Sequence, residues 1–343
     1  MEAKIRAKDD LASAKLPPMP GEHSHLSGAS MQPSLRSHAQ AVRAEQEKAR
    51  RELRDEEKRK LHEEKLKLLE LPIFSYLPSK KDFFQVPANT KLIAIDFDGT
   101  TMRLGFTEST RQNAFRFAIQ QVGSQLIGRN LTRSEIDRCH HPAQHKTEDE
   151  MSRIIAGRLT EITGTVVTPN RMWNAWLQGV QELLSLYDRS PETAITRGLK
   201  RMLRDASQRG INTITVSNGA FEFVEQLTNL KALEPLRNHT QNLFVNLVPG
   251  IRAKPHPDPY LLAAHRAKVS PGEMLALEDT STGALAALRA GVPVLLQPSG
   301  SVLKTLREIV STVEAEHPGW LQSRLGAITL MKPGQGWRQV RFP

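Results

Sequence analysis

Five short, almost continuously apolar runs limit most strongly what this chain can fold into, because they alternate with longer helix-forming stretches. The runs are residues 91–96, 212–217, 243–248, 274–279 and 293–298. Apolar runs of this length are typical of strands that are buried on both faces. We therefore predict an α/β fold in which a parallel sheet is covered by helices.

The stretch between the first two runs is too long for an ordinary connection. Residues 105–195 consist mainly of helix-forming segments. The predicted helices are residues 108–122, 132–139, 147–162 and 169–186. A single crossover helix needs far fewer residues. We interpret this stretch as an inserted helical cap, and its position directly after the first strand would let it act as a lid.

The chain before the first strand divides into two kinds of sequence. Residues 1–37 mix Pro, Ser, Gly, His and Met without a period, which predicts a disordered tail. Residues 38–71 contain neither Gly nor Pro and are rich in Glu, Lys, Arg and Leu, which predicts a charged helix. Its apolar residues do not sustain a coiled-coil seam in the first turns. A solvated helix is favoured, while a coiled coil or a protein partner binding through residues 38–70 stays open.

The remaining boundaries follow from these elements. Pro72 and Pro78 interrupt regular structure, so residues 72–90 are interpreted as a linker. The sheet core is assigned to residues 91–104 and 196–315, and residues 316–343 to a C-terminal extension.

Composition narrows the class of protein. The chain has 343 residues and a single cysteine, Cys139, so it has no intramolecular disulfide and is expected in a reducing compartment. No apolar run is long enough to cross a bilayer, and the N-terminus does not resemble a secretory signal, which predicts a cytoplasmic location and no membrane partner. Aromatic residues make up only 5%, so despite a net charge of +10 no specific nucleic-acid binding is predicted.

The first apolar run ends in two acids, Asp96 and Asp98, followed by Gly99. Carboxylates two residues apart on an extended chain point to the same side, and their mutual repulsion favours a cation between them. A calcium loop or an ordinary Asx turn would also fit this short pattern.

Three further strand ends carry polar residues. Ser217 and Asn218 end the second strand, Lys254 follows the third, and Glu278 and Asp279 end the fourth. Taken singly, they could be a turn, a loop lysine and a helix cap. Because parallel strands end at one edge of a sheet, the four segments together predict a ligand site there, in which an anion could bind.

In this order, the four segments resemble the haloacid dehalogenase-like hydrolase superfamily. The resemblance is closest to the subgroup with a helical cap after the first motif, which includes phosphoglycolate phosphatases and β-phosphoglucomutases. It extends over about residues 91–300, where residues 252–260 and 277–291 look like the lysine and acidic segments of the family. The resemblance implies a Rossmann-like core.

The resemblance also implies roles for the seven side chains. Asp96 would be the nucleophile and Asp98 the general acid and base, which makes the chain a phosphoric monoester hydrolase acting through an aspartyl-phosphate. Mg²⁺ would be the cofactor and a small phosphorylated metabolite the substrate. The implied metal ligands are Asp96, Asp98 (through its backbone carbonyl), Asp279 and Glu278, and the implied phosphate ligands are Ser217, Asn218 and Lys254.

Two alternatives share these motifs. A phosphomutase would use the same site and return the phosphoryl group to a sugar. A binding or scaffold protein would keep the core as a vestige and act through its charged helix. Hydrolysis of a carbon–halogen bond is disfavoured, because that branch of the family generally lacks the equivalent of Asp98.

Overall fold

The computed structural model describes residues 33–77, 83–144, 146–187, 195–229, 240–244, 248–323, 326–331 and 336–343. The chain divides into two units, residues 1–60 and residues 61–343. Residues 1–32 of the predicted tail lie outside the described residues. None of the described helices is both long and apolar enough to span a membrane.

The predicted charged helix is present as α1 (Pro33–Leu69). It begins earlier than predicted, so residues 33–37 belong to the helix and not to the tail. Proline is tolerated in a first helical turn, where its missing N–H has no intrahelical partner. Glu47 and Arg51, and likewise Glu56 and Lys60, lie four residues apart and form ion pairs on the exposed surface of α1.

One parallel sheet forms the centre of the second unit. The strands are β1 (Phe74–Leu77), β2 (Phe84–Gln85), β3 (Leu92–Ile95), β4 (Asn212–Ser217), β5 (Thr240–Phe244), β6 (Met274–Glu278), β7 (Val294–Leu296), β8 (Ile328–Met331) and β9 (Val340–Arg341). Seven of them form a sheet in the order β1-β8-β7-β6-β3-β4-β5, and every pair in it is parallel. β2 and β9 form a separate parallel pair.

Two segments outside the assigned core also contribute strands to the sheet. The predicted linker, residues 72–90, supplies β1 at the sheet edge, and the predicted C-terminal extension, residues 316–343, supplies β8 beside it. β1 has only four residues, and three of them are exposed or half-buried, so it lacks the apolar run that marks the central strands. The third predicted strand, residues 243–248, corresponds to β5 but begins at residue 240, and residues 245–247 lie outside the described residues.

Helices cover both faces of the sheet and form the insertion. They are α2 (Leu104–Ile127), α3 (Arg133–His140), α4 (Glu148–Thr163), α5 (Pro169–Tyr187), α6 (Leu199–Gln208), α7 (Phe221–Thr228), α8 (Asp258–Ala267), α9 (Ser281–Arg289), α10 (Val302–Glu316) and α11 (Trp320–Ser323). The cap, α2 to α5, lies between β3 and β4 in sequence. The predicted Rossmann-like α/β core with an inserted helical cap is therefore confirmed.

The apolar core joins the cap to one face of the sheet. Trp176 of the cap is fully buried, stacks on Phe115 with ring centroids 5.1 Å apart, and contacts Phe223 of α7 at 5.5 Å. These residues belong to the same buried cluster as Ile93 and Ile95 of β3. A second cluster fills the other face of the sheet, where Leu68, Leu69 and Leu71 at the end of α1 pack against it.

Candidate active site

The predicted site residues lie at the carboxyl edge of the three central strands. Asp96 directly follows β3, Ser217 is the last residue of β4, and Glu278 is the last residue of β6. In the sheet, Ile95 lies opposite both Thr215 and Leu277. The parallel register therefore aligns the three strand ends, and residues distant in sequence meet there.

Three carboxylates converge at this edge, and we call Asp96, Glu278 and Asp279 the acidic centre. One ligand oxygen from each of them lies within 4.8 Å of the others. Glu278 is fully buried, and Asp279 is 2% exposed. Asp96 and Asp279 therefore lie near enough to share one cation.

Lys254 supplies a positively charged side chain to the site. Its Nζ donates to Asp96 Oδ1 at 2.7 Å, to Glu278 Oε1 at 2.6 Å and to the Val216 carbonyl at 3.0 Å. The three donors of the ammonium group are therefore all used within the protein. This arrangement connects the loop after β5 with the ends of β3, β4 and β6.

Asn218 has a different use from the one predicted for its side chain. Its Nδ2 donates to the Lys254 carbonyl at 3.3 Å, and its Oδ1 accepts from the Lys254 backbone N–H at 3.2 Å. The amide group is thereby occupied in a reciprocal pair with the backbone of the lysine. Asn218 fixes the position from which the Lys254 side chain enters the acidic centre.

Ser217 and Asp98 flank Gly219. Ser217 is 1% exposed, and its Oγ accepts from the Gly219 N–H at 3.0 Å. A Cβ at Gly219 would lie 3.2 Å from Ser217 Oγ and 3.7 Å from Asp98 Oδ2. The hydroxyl and the second acid of the first motif therefore face the same narrow space.

The Asp98 side chain points toward the cap and is not part of the acidic centre. Its Oδ2 lies 3.4 Å from Arg111 Nη2 of α2. Arg111 also pairs with Glu108 at 2.9 Å and with Glu148 at 2.8 Å. This half-buried cluster joins the predicted general acid to two cap helices. The sequence prediction missed Arg111, since nothing in the spacing of α2 distinguishes it from other surface arginines.

Two glycines let backbone approach the acids closely. Gly99 has φ +80°, and a Cβ there would lie 1.9 Å from Asp279 Oδ2. A Cβ at Gly283 in α9 would lie 1.9 Å from Glu278 Oε2. Larger residues at these positions would displace the carboxylates, so the glycines are needed for the shape of the acidic centre.

Two further residues missed by the sequence prediction support the site. The Tyr260 hydroxyl donates to Glu278 Oε1, the same oxygen that Lys254 contacts. Trp337 is buried, and its Nε1 donates to the Thr100 carbonyl at 2.9 Å. Tyr260 lies within the lysine segment quoted above and could have been found from it. Trp337 comes from the C-terminal extension, which carries no comparable signal.

Burial and crowding change the ionisation of the site. Burial raises the pKa of Asp96 well above its usual range, and Glu278 and Asp279 raise it further against the opposing effect of Lys254. Burial, with the neighbouring Glu278, raises the pKa of Asp279 to about 7. Burial alone would lower the pKa of Lys254, but the charges of Asp96 and Glu278 outweigh it and raise that pKa. One ammonium group thus offsets only part of the negative charge of the acidic centre.

The acidic centre fits a hard divalent cation. Within the described part of the chain, Asp279 Oδ2 and Glu278 Oε2 are buried and have no hydrogen-bond partner. Buried carboxylate oxygens without a partner are costly unless an ion or a proton neutralises them. Carboxylate oxygens are also the ligands that Mg²⁺ prefers.

Comparison with known proteins identifies the family. The model of the haloacid dehalogenase-like hydrolases matches residues 90–291, more than half of the chain. The chain belongs to this family. In this haloacid dehalogenase-like hydrolase, the matched region runs from the end of the predicted linker to the loop after α9, so it includes the cap and every residue of the acidic centre.

Individual relatives match shorter or less similar regions. YhcW of Bacillus subtilis, a provisionally named phosphatase, is 50% identical over 46 residues, which cover 13% of this hydrolase and 21% of YhcW. The solved structure of CbbY from Rhodobacter sphaeroides with phosphate is 21% identical, covering 61% of this chain and 86% of CbbY with a TM-score of 0.44. That of β-phosphoglucomutase from Clostridium difficile is 18% identical, covering 64% and 88% with a TM-score of 0.40.

Proposed function

We propose that this hydrolase is a Mg²⁺-dependent phosphatase that acts on a small phosphorylated metabolite through an aspartyl-phosphate. The observation that carries the proposal is the position of Lys254 Nζ, which bridges Asp96 and Glu278 beside Asp279. A carboxylate nucleophile, a fixed cation and further oxygen donors are the groups that phosphoryl transfer needs at one point.

Asp96 is the nucleophile in this proposal. Lys254 holds its Oδ1 at 2.7 Å, which orients the carboxylate and leaves Oδ2 to attack phosphorus. A bond forms between Oδ2 and phosphorus while the bond from phosphorus to the ester oxygen breaks. Asp98, in its protonated form, gives its proton to the leaving oxygen.

The second step returns the enzyme to its starting state. Asp98, now a carboxylate, takes a proton from a water molecule as that water attacks phosphorus. The bond between Asp96 Oδ2 and phosphorus breaks, and inorganic phosphate leaves. The contact of Asp98 with Arg111 at 3.4 Å supports this role, because it orients the acid from the cap side.

The acidic centre would hold the Mg²⁺. Asp96, Asp279 and the backbone carbonyl of Asp98 are the proposed ligands, with Glu278 as a further ligand or as a support. The ion supplies positive charge that offsets the repulsion between the carboxylates and the phosphoryl oxygens. Ser217 would bind those oxygens directly, and Lys254 would bind them by exchanging its contact with the Val216 carbonyl for one with a phosphoryl oxygen. Asn218 would act by positioning Lys254.

The remaining sequence predictions stay predictions. They are the cytoplasmic location, a coiled coil or partner interface in residues 38–70, and the division of the chain into the functional segments described above.

The proposal is tested by phosphate release from p-nitrophenyl phosphate, with Mg²⁺ and with EDTA. We expect activity only with Mg²⁺, and a loss of at least about a thousandfold in Asp96→Asn, because the amide cannot form the covalent intermediate. Asp55→Asn, the same change on exposed α1, is the control and should keep full activity. Activity in Asp96→Asn near that of the control, or full activity in EDTA, would contradict the proposal.

A further inference from the structure

A second polar site lies where the cap joins the core, and we call it the hinge pocket. It is a cavity of about 310 Å³, lined by Arg103, Arg338 and residues 195–198 and 200. Arg103 lies between the first motif and α2, residues 196–198 lead from the cap into α6, and Arg338 belongs to a short helical turn at residues 336–339. The hinge pocket shares no residue with the acidic centre.

The hinge pocket is strongly basic. Four of its lining side chains are Arg or Lys, and none of the lining residues that the structure describes is acidic. Within the described ranges, no carboxylate pairs with Arg103, Arg197 or Arg338. Arginine keeps its charge at every physiological pH, so the like charges repel one another unless an anion lies between them.

Close backbone packing builds the hinge pocket. Gly198 has φ +87°, and a Cβ there would lie 2.6 Å from the Arg338 nitrogen. Gly336 has φ +65°, and a Cβ there would lie 2.2 Å from the Arg197 carbonyl oxygen. The Trp337 N–H donates to that carbonyl at 2.8 Å, and Arg201 Nη2 donates to the Arg338 carbonyl at 2.8 Å.

These contacts fix the backbone that carries the cations. Two glycines with positive φ and two hydrogen bonds between segments hold residues 196–198 against residues 336–338. Arg197 and Arg338 therefore start from backbone that is fixed in place, which lowers the entropic cost of binding an anion between them.

Two further features suit an anionic ligand. The pocket contains Gly198, the N-cap of the ten-residue helix α6, where the helix dipole places partial positive charge. The Thr196 hydroxyl oxygen is buried and has no partner among the residues that the structure describes. A hydroxyl donor and a helix N-terminus thus add to the three arginines.

We infer that the hinge pocket binds a small molecule that carries phosphate groups and at least two negative charges. Arginine side chains bind phosphate through paired hydrogen bonds, and several of them converge here. The cavity volume of about 310 Å³ matches the lower range of small-molecule sites, which favours a compact metabolite.

The occupant would connect three parts of the chain. It would touch the outgoing linker at Arg103, the incoming linker at Arg197 and the C-terminal segment at Arg338. Trp337, the neighbour of Arg338, donates to the Thr100 carbonyl in the first motif. Because the ligand binds these parts only when they are together, binding stabilises the folded protein against heat.

Titration calorimetry of the full chain with inorganic pyrophosphate in EDTA tests the inference. EDTA removes divalent ions, so the carboxylates of the acidic centre outnumber Lys254 and disfavour pyrophosphate there. We expect saturable binding by the wild type and a rise in Tm. In Arg197→Gln/Arg338→Gln, affinity should fall about tenfold or more, since each lost charge-assisted hydrogen bond contributes a factor of that order.

The control is Arg133→Gln, the same chemical change at an exposed position of the cap, where affinity should stay within about twofold of the wild type. Arg338→Lys keeps the charge and should retain part of the affinity. Unchanged pyrophosphate affinity in Arg197→Gln/Arg338→Gln, or no saturable binding by the wild type, would overturn the inference. An equal loss in Arg133→Gln would also overturn it, because the effect would then reflect overall charge.

Discussion

The acidic centre and the hinge pocket differ in the sign of their charge and in how deeply that charge is buried. In the acidic centre, three carboxylates surround one buried ammonium group, Lys254. In the hinge pocket, four basic side chains line a cavity that has no carboxylate among its described lining residues, and three of the four are exposed. Burial makes the first arrangement dependent on pairing, while solvent screens the second.

Because of this difference in burial, removing a charge should affect stability in one site and ligand binding in the other. Removing a charge from the acidic centre leaves its partners buried and uncompensated, so folding itself should suffer. Removing a charge from the hinge pocket relieves repulsion between like charges, so the folded protein should lose a ligand without losing stability.

Replacing the buried lysine gives the largest expected effect. Lys254→Met leaves Asp96 and Glu278 without their cation, so the free energy of unfolding in EDTA should fall by about 3–5 kcal/mol. Lys91→Met is the control: Lys91 pairs with Glu273, but its side chain is 63% exposed, and the change should be below about 1 kcal/mol. Urea denaturation followed by circular dichroism measures both. Equal effects would show that burial does not distinguish these two lysines.

A glycine tests whether the hinge pocket depends on close packing. Gly336→Ala places a Cβ 2.2 Å from the Arg197 carbonyl, so a backbone segment must shift, and we expect a loss of about 2–3 kcal/mol together with weaker pyrophosphate binding. Gly128→Ala is matched, since Gly128 has φ +71° and open space around it. It should cost only the backbone strain of about 1 kcal/mol. If urea denaturation gave equal losses of unfolding free energy for Gly336→Ala and Gly128→Ala, the close contact at Gly336 would not contribute to stability.

The central sheet and the acidic centre could be predicted for the same physical reason. Strands buried on both faces need nearly continuous apolar runs, and parallel strands place their final residues at one edge. Asp96, Ser217 and Glu278 therefore met as expected. By contrast, β1 and β8 are short strands at one side of the sheet, and neither carries a run that stands out from the sequence.

Contacts made by side chains from different segments could not be predicted. Arg111 reaches Asp98 only because the cap folds back over the sheet edge, and Trp337 reaches Thr100 only because the C-terminal segment packs against the first motif. Asn218 was expected at the phosphate, yet its amide pairs with the backbone of Lys254. Each depends on packing between distant segments, and no local pattern encodes it.

A substitution of Tyr260 distinguishes the contribution of the Lys254 charge to stability from that of a neighbouring hydrogen bond. Tyr260→Phe removes the hydroxyl that donates to Glu278 but keeps the ring, so the free energy of unfolding should fall by about 1–2 kcal/mol. Glu278 would still be held by Lys254, which makes the loss smaller than in Lys254→Met. Tyr76→Phe, on half-buried β1, is the control and should stay within about 0.5 kcal/mol. If Tyr260→Phe lost as much unfolding free energy as Lys254→Met, the Tyr260 hydrogen bond would stabilise the acidic centre as much as the charge of Lys254 does.

The smallest effect is expected from an exposed ion pair in the same loop as Lys254. Arg252 bonds to Asp258 at 2.9 Å and lowers the pKa of that carboxyl from 3.8 to about 2. Because the folded-state pKa is depressed, the pair stabilises the protein above about pH 4, and its contribution disappears as the pH falls toward 2.

Asp258→Asn should therefore lower the urea midpoint slightly at pH 7, and its difference from the wild type should shrink between pH 4 and pH 2.5. Arg252→Gln removes the other partner and should give a similar shift at pH 7. If the Asp258→Asn difference stayed constant with pH, the carboxylate charge would not be its cause, and the hydrogen bonds that Asp258 accepts from Arg252 would account for it.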